Sequence, residues 1–135
     1  MPTSADIPSL SKDATHVRRL VAAYCSAERS PTLPPFVVHG TFTLQTVWES
    51  AAASGPGCYV IYGMDNTLRY VGMSLSRVGN RIASHFSAAT QRSTFWRQGS
   101  PAHYIDIIEV FRPWEALSLE GYLIEGTAHS TGKLG

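Results

Sequence analysis

The chain is predicted to be an α/β (α+β) protein with a small three-stranded, antiparallel-type sheet flanked by helices. Three observations carry that expectation. Gly57-Cys58-Tyr59-Val60-Ile61-Tyr62 and Leu68-Arg69-Tyr70-Val71-Gly72-Met73 are strand-like runs joined through a turn built on Asp65 and Asn66. Tyr104, Ile105, Ile107, Ile108, Val110 and Phe111 make a third run strongly apolar. Val17, Leu20, Val21 and Tyr24 recur at helical spacing, as do Val78, Ile82 and Phe86. A small sheet with such helices buries its faces by being covered with them.

Taken in order, residues 1–10, with Pro2 and Pro8, read as a loose arm. Ser11 or Asp13 caps a helix over about 13–29, which ends at Ser30-Pro31-Thr32-Leu33-Pro34-Pro35. Phe36-Val37-Val38 is a short extended piece, and Thr43 caps a second helix running through Val47 to about Ala53. Ser54-Gly55-Pro56-Gly57 is a turn signal. It separates a mostly helical N-terminal extension, residues 1–55, from a second unit, residues 56–135. There the pattern is strand (about 57–63), strand (about 68–73), helix (about 76–87), a Ser- and Thr-rich loop, strand (about 103–110) and helix (about 113–127). Pro113 suits the first turn of that last helix, where a missing N–H costs nothing.

Composition bounds the function. The 135 residues suffice to bury a core without staples, and 44% hydrophobic with 16% charged residues excludes wholesale disorder. Net charge is only +1, but it is unevenly spread. Residues 57–103 hold Arg69, Arg77, Arg81, Arg92 and Arg97 against Asp65 alone, whereas 104–135 are acidic. A cationic segment meeting an acidic one suits a phosphate-plus-metal site. Cys25 and Cys58 have no zinc spacing; they are either one disulfide or two free thiols in a reducing compartment. No signal peptide and no run near the roughly 20 apolar residues of a membrane helix is present, so a cytoplasmic protein with no membrane partner is expected.

The candidate site lies in residues 57–85. Arg77, Arg81 and His85 follow each other at four-residue spacing, beside the core-facing stripe of Val78, Ile82 and Phe86. Tyr59 and Tyr62 point to opposite faces of their strand, so one of them joins Tyr70. A phenol, a guanidinium and an imidazole around one small surface suggest chemistry on a phosphate; a solvated basic face with packing tyrosines is the plainer alternative. In the last helix, Glu120 has apolar neighbours at three and four residues: Ala116, Leu117, Leu123 and Ile124. A carboxylate buried there needs a metal or a partner such as Arg81. Glu115 and Glu125, like Arg18 and Arg19, read as solvated charges. Arg92, Phe95, Trp96 and Arg97 either touch a nucleic-acid strand by stacking and phosphate contact or, for the aromatics, cap the core.

Gly57-Cys58-Tyr59 and Tyr70-Val71-Gly72 resemble the paired signatures of the GIY-YIG endonuclease superfamily. Arg81 with His85 resembles that family's helix arginine and homing-endonuclease-type histidine. Ala116-Leu117-Ser118-Leu119-Glu120-Gly121-Tyr122-Leu123-Ile124 is similar to its late glutamate segment, and the likeness spans roughly residues 56–125. Two positions depart from it. Met73 stands where many repair-type members have lysine, and the asparagine common after the glutamate helix is missing, with His129 as its candidate substitute. The resemblance implies metal-dependent hydrolysis of a phosphodiester in DNA, with RNA left open. By it, Tyr59 is the general base or bonds the attacking water, Tyr70 orients water or phosphate, and His85 assists proton transfer. Arg81 holds the scissile phosphate, and Glu120 binds one divalent ion, Mg²⁺ or Mn²⁺. Arg77, Arg81, Arg92 and Arg97 form the nucleic-acid contact set, and residues 1–55 read DNA, form a homodimer or contact another protein. The other readings are a catalytically weak nucleic-acid-binding or protein-interaction module on the same scaffold, or an unrelated α/β domain with an Arg81–Glu120 ion pair.

Overall fold

The computed structural model describes residues 11–43, 46–63, 66–85 and 104–131, with side chains described as far as Thr127. Helix α1 (Lys12–Ala27) starts where Ser11 Oγ accepts the Ala14 amide at 3.1 Å, so Ser11 is its cap. Asp13 is employed elsewhere, accepting the Leu68 amide at 2.7 Å. Strand β1 (Val37–Thr43) follows, and it is longer than the extended piece expected at 36–38.

The helix expected from Thr43 to Ala53 does not form. Thr43 ends β1, and two single 3₁₀ turns follow, Val47–Glu49 and Ala51–Ser54. The local hydroxyls explain the outcome: Thr43 and Thr46 bond each other's amides and hydroxyls, and Ser50 takes the Ala52 amide. Such side-chain bonds compete with a continuous helical ladder. The remaining elements fall close to expectation: β2 (Gly57–Tyr62), β3 (Leu68–Ser74), α2 (Val78–His85), β4 (Tyr104–Glu109) and α3 (Trp114–Thr131). In the turn between β2 and β3, Asn66 takes a left-handed φ of 66°, a conformation that asparagine tolerates better than most residues.

Among the described residues the sheet has four strands in the order β1-β4-β2-β3, and every pairing is antiparallel. The strand unforeseen in the count of three is β1, which pairs along β4 from Val37 opposite Glu109 to Thr43 opposite Tyr104. Alternation along β2 divides the core. Cys58, Val60 and Tyr62 face a cluster with Val17, Val21 and Tyr24 of α1 and Ala116, Leu119 and Leu123 of α3. Tyr59 and Ile61 face the other side, with Val78 and Ile82 of α2 and with Val47, Ala52 and Ala53 from the 3₁₀ turns.

Two charges expected at the surface are internal. Arg18 makes a two-pronged bond to the fully buried Asp106, at 2.9 and 3.3 Å. Glu115 is fully buried and paired with the equally sheltered Arg29 at 2.6 Å. Each acid sits among apolar groups where an unpaired charge would be costly, so a basic partner from the α1 region accompanies it.

Candidate active site

Tyr59 occupies the middle of β2, one of the two strands with neighbours on both sides, and it is fully buried. Gly72 of β3 lies directly opposite. That register gives the glycine a steric purpose: a Cβ there would overlap the ring and hydroxyl of Tyr59. Gly57 serves similarly at the other end, since a Cβ on it would overlap the Ile108 carbonyl of β4. The two glycines bring the strands together and leave a slot for one phenol.

Tyr70, two residues before Gly72 and so on the same face of β3, stacks on Tyr59 with centroids 6.0 Å apart and planes 23° apart. His85, the last residue of α2, closes against both rings at 5.5 Å from Tyr59 and 4.5 Å from Tyr70. Its Nε2 lies 2.6 Å from the Tyr59 hydroxyl. Helix α2 is held for this purpose at its start. Ser74 Oγ accepts the Ser76 and Arg77 amides, the Val78 amide reaches the Gly55 carbonyl at 2.9 Å, and Val78 and Ile82 are buried.

Electrostatics assigns the protons. Burial pushes the Tyr59 phenol well above its ordinary value; Tyr70 and Glu120 push the same way, while the charge and hydrogen-bonding reach of Arg81 oppose them. Burial, then the positive charge of Arg81, holds His85 below the usual imidazole value. At neutral pH the phenol therefore keeps its proton and the imidazole is neutral; with that imidazole protonated on Nδ1, Tyr59 donates to His85 Nε2. Glu120, half-buried on α3, is raised by burial and partly lowered by Arg81. Arg81 thus lies within the electrostatic field of both Tyr59 and Glu120. The direct Arg81–Glu120 ion pair offered by the plainer reading is not among the ion pairs of the described residues.

A family model, the GIY-YIG catalytic domain, matches residues 55–132. The chain belongs to the GIY-YIG family. No curated protein and no solved structure matches it. For a GIY-YIG domain the expected chemistry is nuclease action on nucleic acid, and the α+β fold around an antiparallel sheet agrees with membership. No helix among the described residues is long and apolar enough to cross a membrane.

Of the site residues named from sequence, this GIY-YIG domain brings Tyr59, Tyr70 and His85 into contact, with Arg81 and Glu120 acting on Tyr59 through space. Arg77 is exposed just ahead of α2. Arg92, Phe95, Trp96, Arg97 and the Phe86 of the core stripe lie outside the described residues, as do Asp65 and the His129 side chain. Tyr62 points the opposite way and gives its hydroxyl to Asp106 at 2.9 Å, as strand alternation requires. Glu120 is less enclosed than its apolar neighbours suggested, because Leu117 and Ile124 face solvent, Leu117 at 60% exposure. The sequence reading also missed the seat that Gly72 provides and the cap that Ser74 provides. The first becomes visible only with the register Tyr59 opposite Gly72; the second has a local signal, a serine whose hydroxyl turns the chain ahead of α2 by taking the amides two and three residues on.

Among the described residues no group of three or more His, Cys, Asp or Glu is placed to hold a metal ion. The donor chemistry still fits a hard cation. Glu120 is a half-buried carboxylate on α3, and one carboxylate plus water is an ordinary set for Mg²⁺.

Proposed function

We propose that this GIY-YIG protein is a cytoplasmic, metal-dependent endonuclease that hydrolyses phosphodiester bonds of DNA. The observation that carries the reading is the 2.6 Å bond between the Tyr59 hydroxyl and neutral His85, inside the field of Arg81. The packing tyrosines Tyr24 and Tyr62 also have hydroxyl partners, Ser118 and Asp106, but of the three Tyr59 is the one paired with an imidazole, a group that exchanges protons near neutral pH. Tyr59 takes a proton from the attacking water as its own proton passes to His85 Nε2. The new P–O bond forms from that water oxygen while the bond to the leaving sugar oxygen breaks; the leaving oxygen is protonated by solvent, and His85 releases its extra proton to solvent, which restores the neutral imidazole. Arg81 holds the phosphate and stabilises its added negative charge. Tyr70, stacked on Tyr59, fixes the phenol's direction and orients water or phosphate. Glu120 would hold a Mg²⁺ or Mn²⁺ ion, which when bound supplies Lewis-acid stabilisation of the phosphate oxygens. Arg77 and Arg81 contact backbone phosphates, with Arg92 and Arg97 completing the set, so binding weakens steeply with salt.

The test is supercoiled plasmid with purified protein, with Mg²⁺ or Mn²⁺ against chelator, for wild type, Tyr59→Phe and Glu120→Ala. Metal-dependent nicking or linearisation lost in both variants supports the endonuclease. A gel shift that persists with no cutting under any metal condition makes the domain a binding module.

A further inference from the structure

The family match begins at residue 55, yet α3, which carries Glu120, is gripped along its length by side chains from residues 16–36. Arg29, just past the end of α1, donates Nε to Glu115 Oε2 at 2.6 Å, with both side chains buried (3% and 0% exposed). The same guanidinium donates Nη1 to the Pro34 carbonyl at 2.6 Å and lies 4.1 Å over the Phe36 ring. The other Glu115 oxygen accepts the Arg112 amide at 2.8 Å, completing the anchor at the start of α3. Nearly one turn on, Tyr24 donates its hydroxyl to Ser118 Oγ at 2.6 Å. Farther along, His16 donates Nε2–H to the Gly126 carbonyl at 3.3 Å. Gly126 itself admits α1, since a Cβ there would lie 2.8 Å from Leu20 Cδ1.

These contacts differ in kind from the packing of α3 on the sheet. Ala116, Leu119 and Leu123 bury an apolar face. Apolar contact is non-directional, and such a face tolerates repacking by small slides and rolls. Hydrogen bonds at positions 115, 118 and 126 are directional, and three of them fix how far the helix is turned and advanced. Glu120 rides on the same rigid segment, five residues or about 7.5 Å of axial rise beyond Glu115. Its carboxylate acts on Arg81 and Tyr59 across a gap that no direct bond spans, so its aim depends on how the helix is held.

We infer that Arg29 is a positioning residue for Glu120: the region of residues 16–36 sets the roll and advance of α3, and the segment matched by the family is not a self-sufficient catalytic unit in this chain. The inference rests on Glu120 being the ion ligand of the proposed reaction.

The experiment uses the full chain. Arg29→Met combined with Glu115→Gln removes both charges, so neither is left buried alone. Arg29→Lys keeps the charge but loses the forked contacts. Arg19→Ala, on the exposed side of α1, is the neutral control. Thermal melting reports folding, and the rate of plasmid nicking is followed against Mn²⁺ concentration. The double variant is expected to melt close to wild type while its half-saturating Mn²⁺ concentration rises about tenfold, the scale on which outer-shell supports act on metal affinity. Arg29→Lys is expected to fall between, and it carries the test if the double variant does not fold. Either folded variant with wild-type Mn²⁺ dependence overturns the inference. A wild type with no metal-dependent nicking fails in the parent rather than in the variants, and it overturns the nuclease reading and this inference together.

Discussion

Burial raises the proton affinity of Tyr59, yet the proposed reaction asks it to pass a proton on, and His85 Nε2 stands 2.6 Å from its hydroxyl to accept one. Tyr59→Phe keeps the ring and its stacking on Tyr70 but removes the hydroxyl. Its cleavage rate is expected to fall roughly 10²- to 10⁴-fold, the range of one general acid–base group, with an unchanged melting temperature. The pH profile follows from His85. Its value is lowered from the ordinary 6.5, so the neutral, accepting form persists into mildly acidic solution. The acid limb of cleavage is therefore expected below pH 6.5, measured as initial nicking rate at constant ionic strength. Glu120 has the opposite sign. A carboxyl raised from 4.5 in the folded state favours folding only while protonated, and that stabilisation is lost as pH rises through the folded value. At neutral pH the ionised Glu120 costs stability, so Glu120→Gln should melt slightly higher than wild type near pH 7, lose cleavage, and show no melting advantage near pH 4.

Helices and strands convert motif into geometry, and here Gly72 is the sensitive point. Gly72→Ala places a methyl group on the Tyr59 ring across the β2–β3 register. Overpacking of that kind costs about 1–3 kcal/mol, and the phenol must tilt away from His85. Reduced cleavage with a folded circular-dichroism spectrum is expected, together with a lower denaturant midpoint. The elements that build this slot were legible in sequence because β2, β3 and α2 form within 29 consecutive residues, each with a clear period. Strand β1 was not. Its partner β4 lies more than 60 residues away, and its edge position leaves most of its residues half-buried without alternation. The last helix was legible as a helix but not as to its faces. Trp114, Leu117 and Ile124 are exposed while Ala116, Leu119 and Leu123 are buried, so apolar residues lie on both sides. Periodicity therefore had no means of showing that Glu115, not Glu120, is the wholly buried acid.

Across the whole molecule, one carboxylate ties together elements that no motif connects. Asp106 of β4 accepts the two-pronged Arg18 of α1, the Thr41 hydroxyl of β1 at 3.0 Å and the Tyr62 hydroxyl of β2 at 2.9 Å. Gly40 is part of the arrangement, since a Cβ there would overlap Asp106 Oδ1. The network lies on the α1–α3 side of the sheet, opposite the face that holds Tyr59. Among the described residues, and unlike Arg29, no member of this network bonds α3 or the Tyr59–His85 pair, so its effect should be on stability and not on chemistry. Arg18→Ala leaves Asp106 buried with two neutral donors and no cation. A broken buried pair costs about 3–5 kcal/mol, and Arg18, at 23% exposure, is partly screened, which places the loss near the lower figure. For a domain of this size that corresponds to a fall in melting temperature of about 10 °C or more. Arg18→Met with Asp106→Asn removes both charges while an amide oxygen can still accept from Thr41 and Tyr62, so most of the loss should return. Differential scanning calorimetry gives the stabilities, and nicking rates normalised to folded protein give the chemistry. A melting temperature unchanged in Arg18→Ala would show that the network adds little to the fold. A normalised rate that falls with the melting temperature would show instead that the two faces of the sheet are coupled.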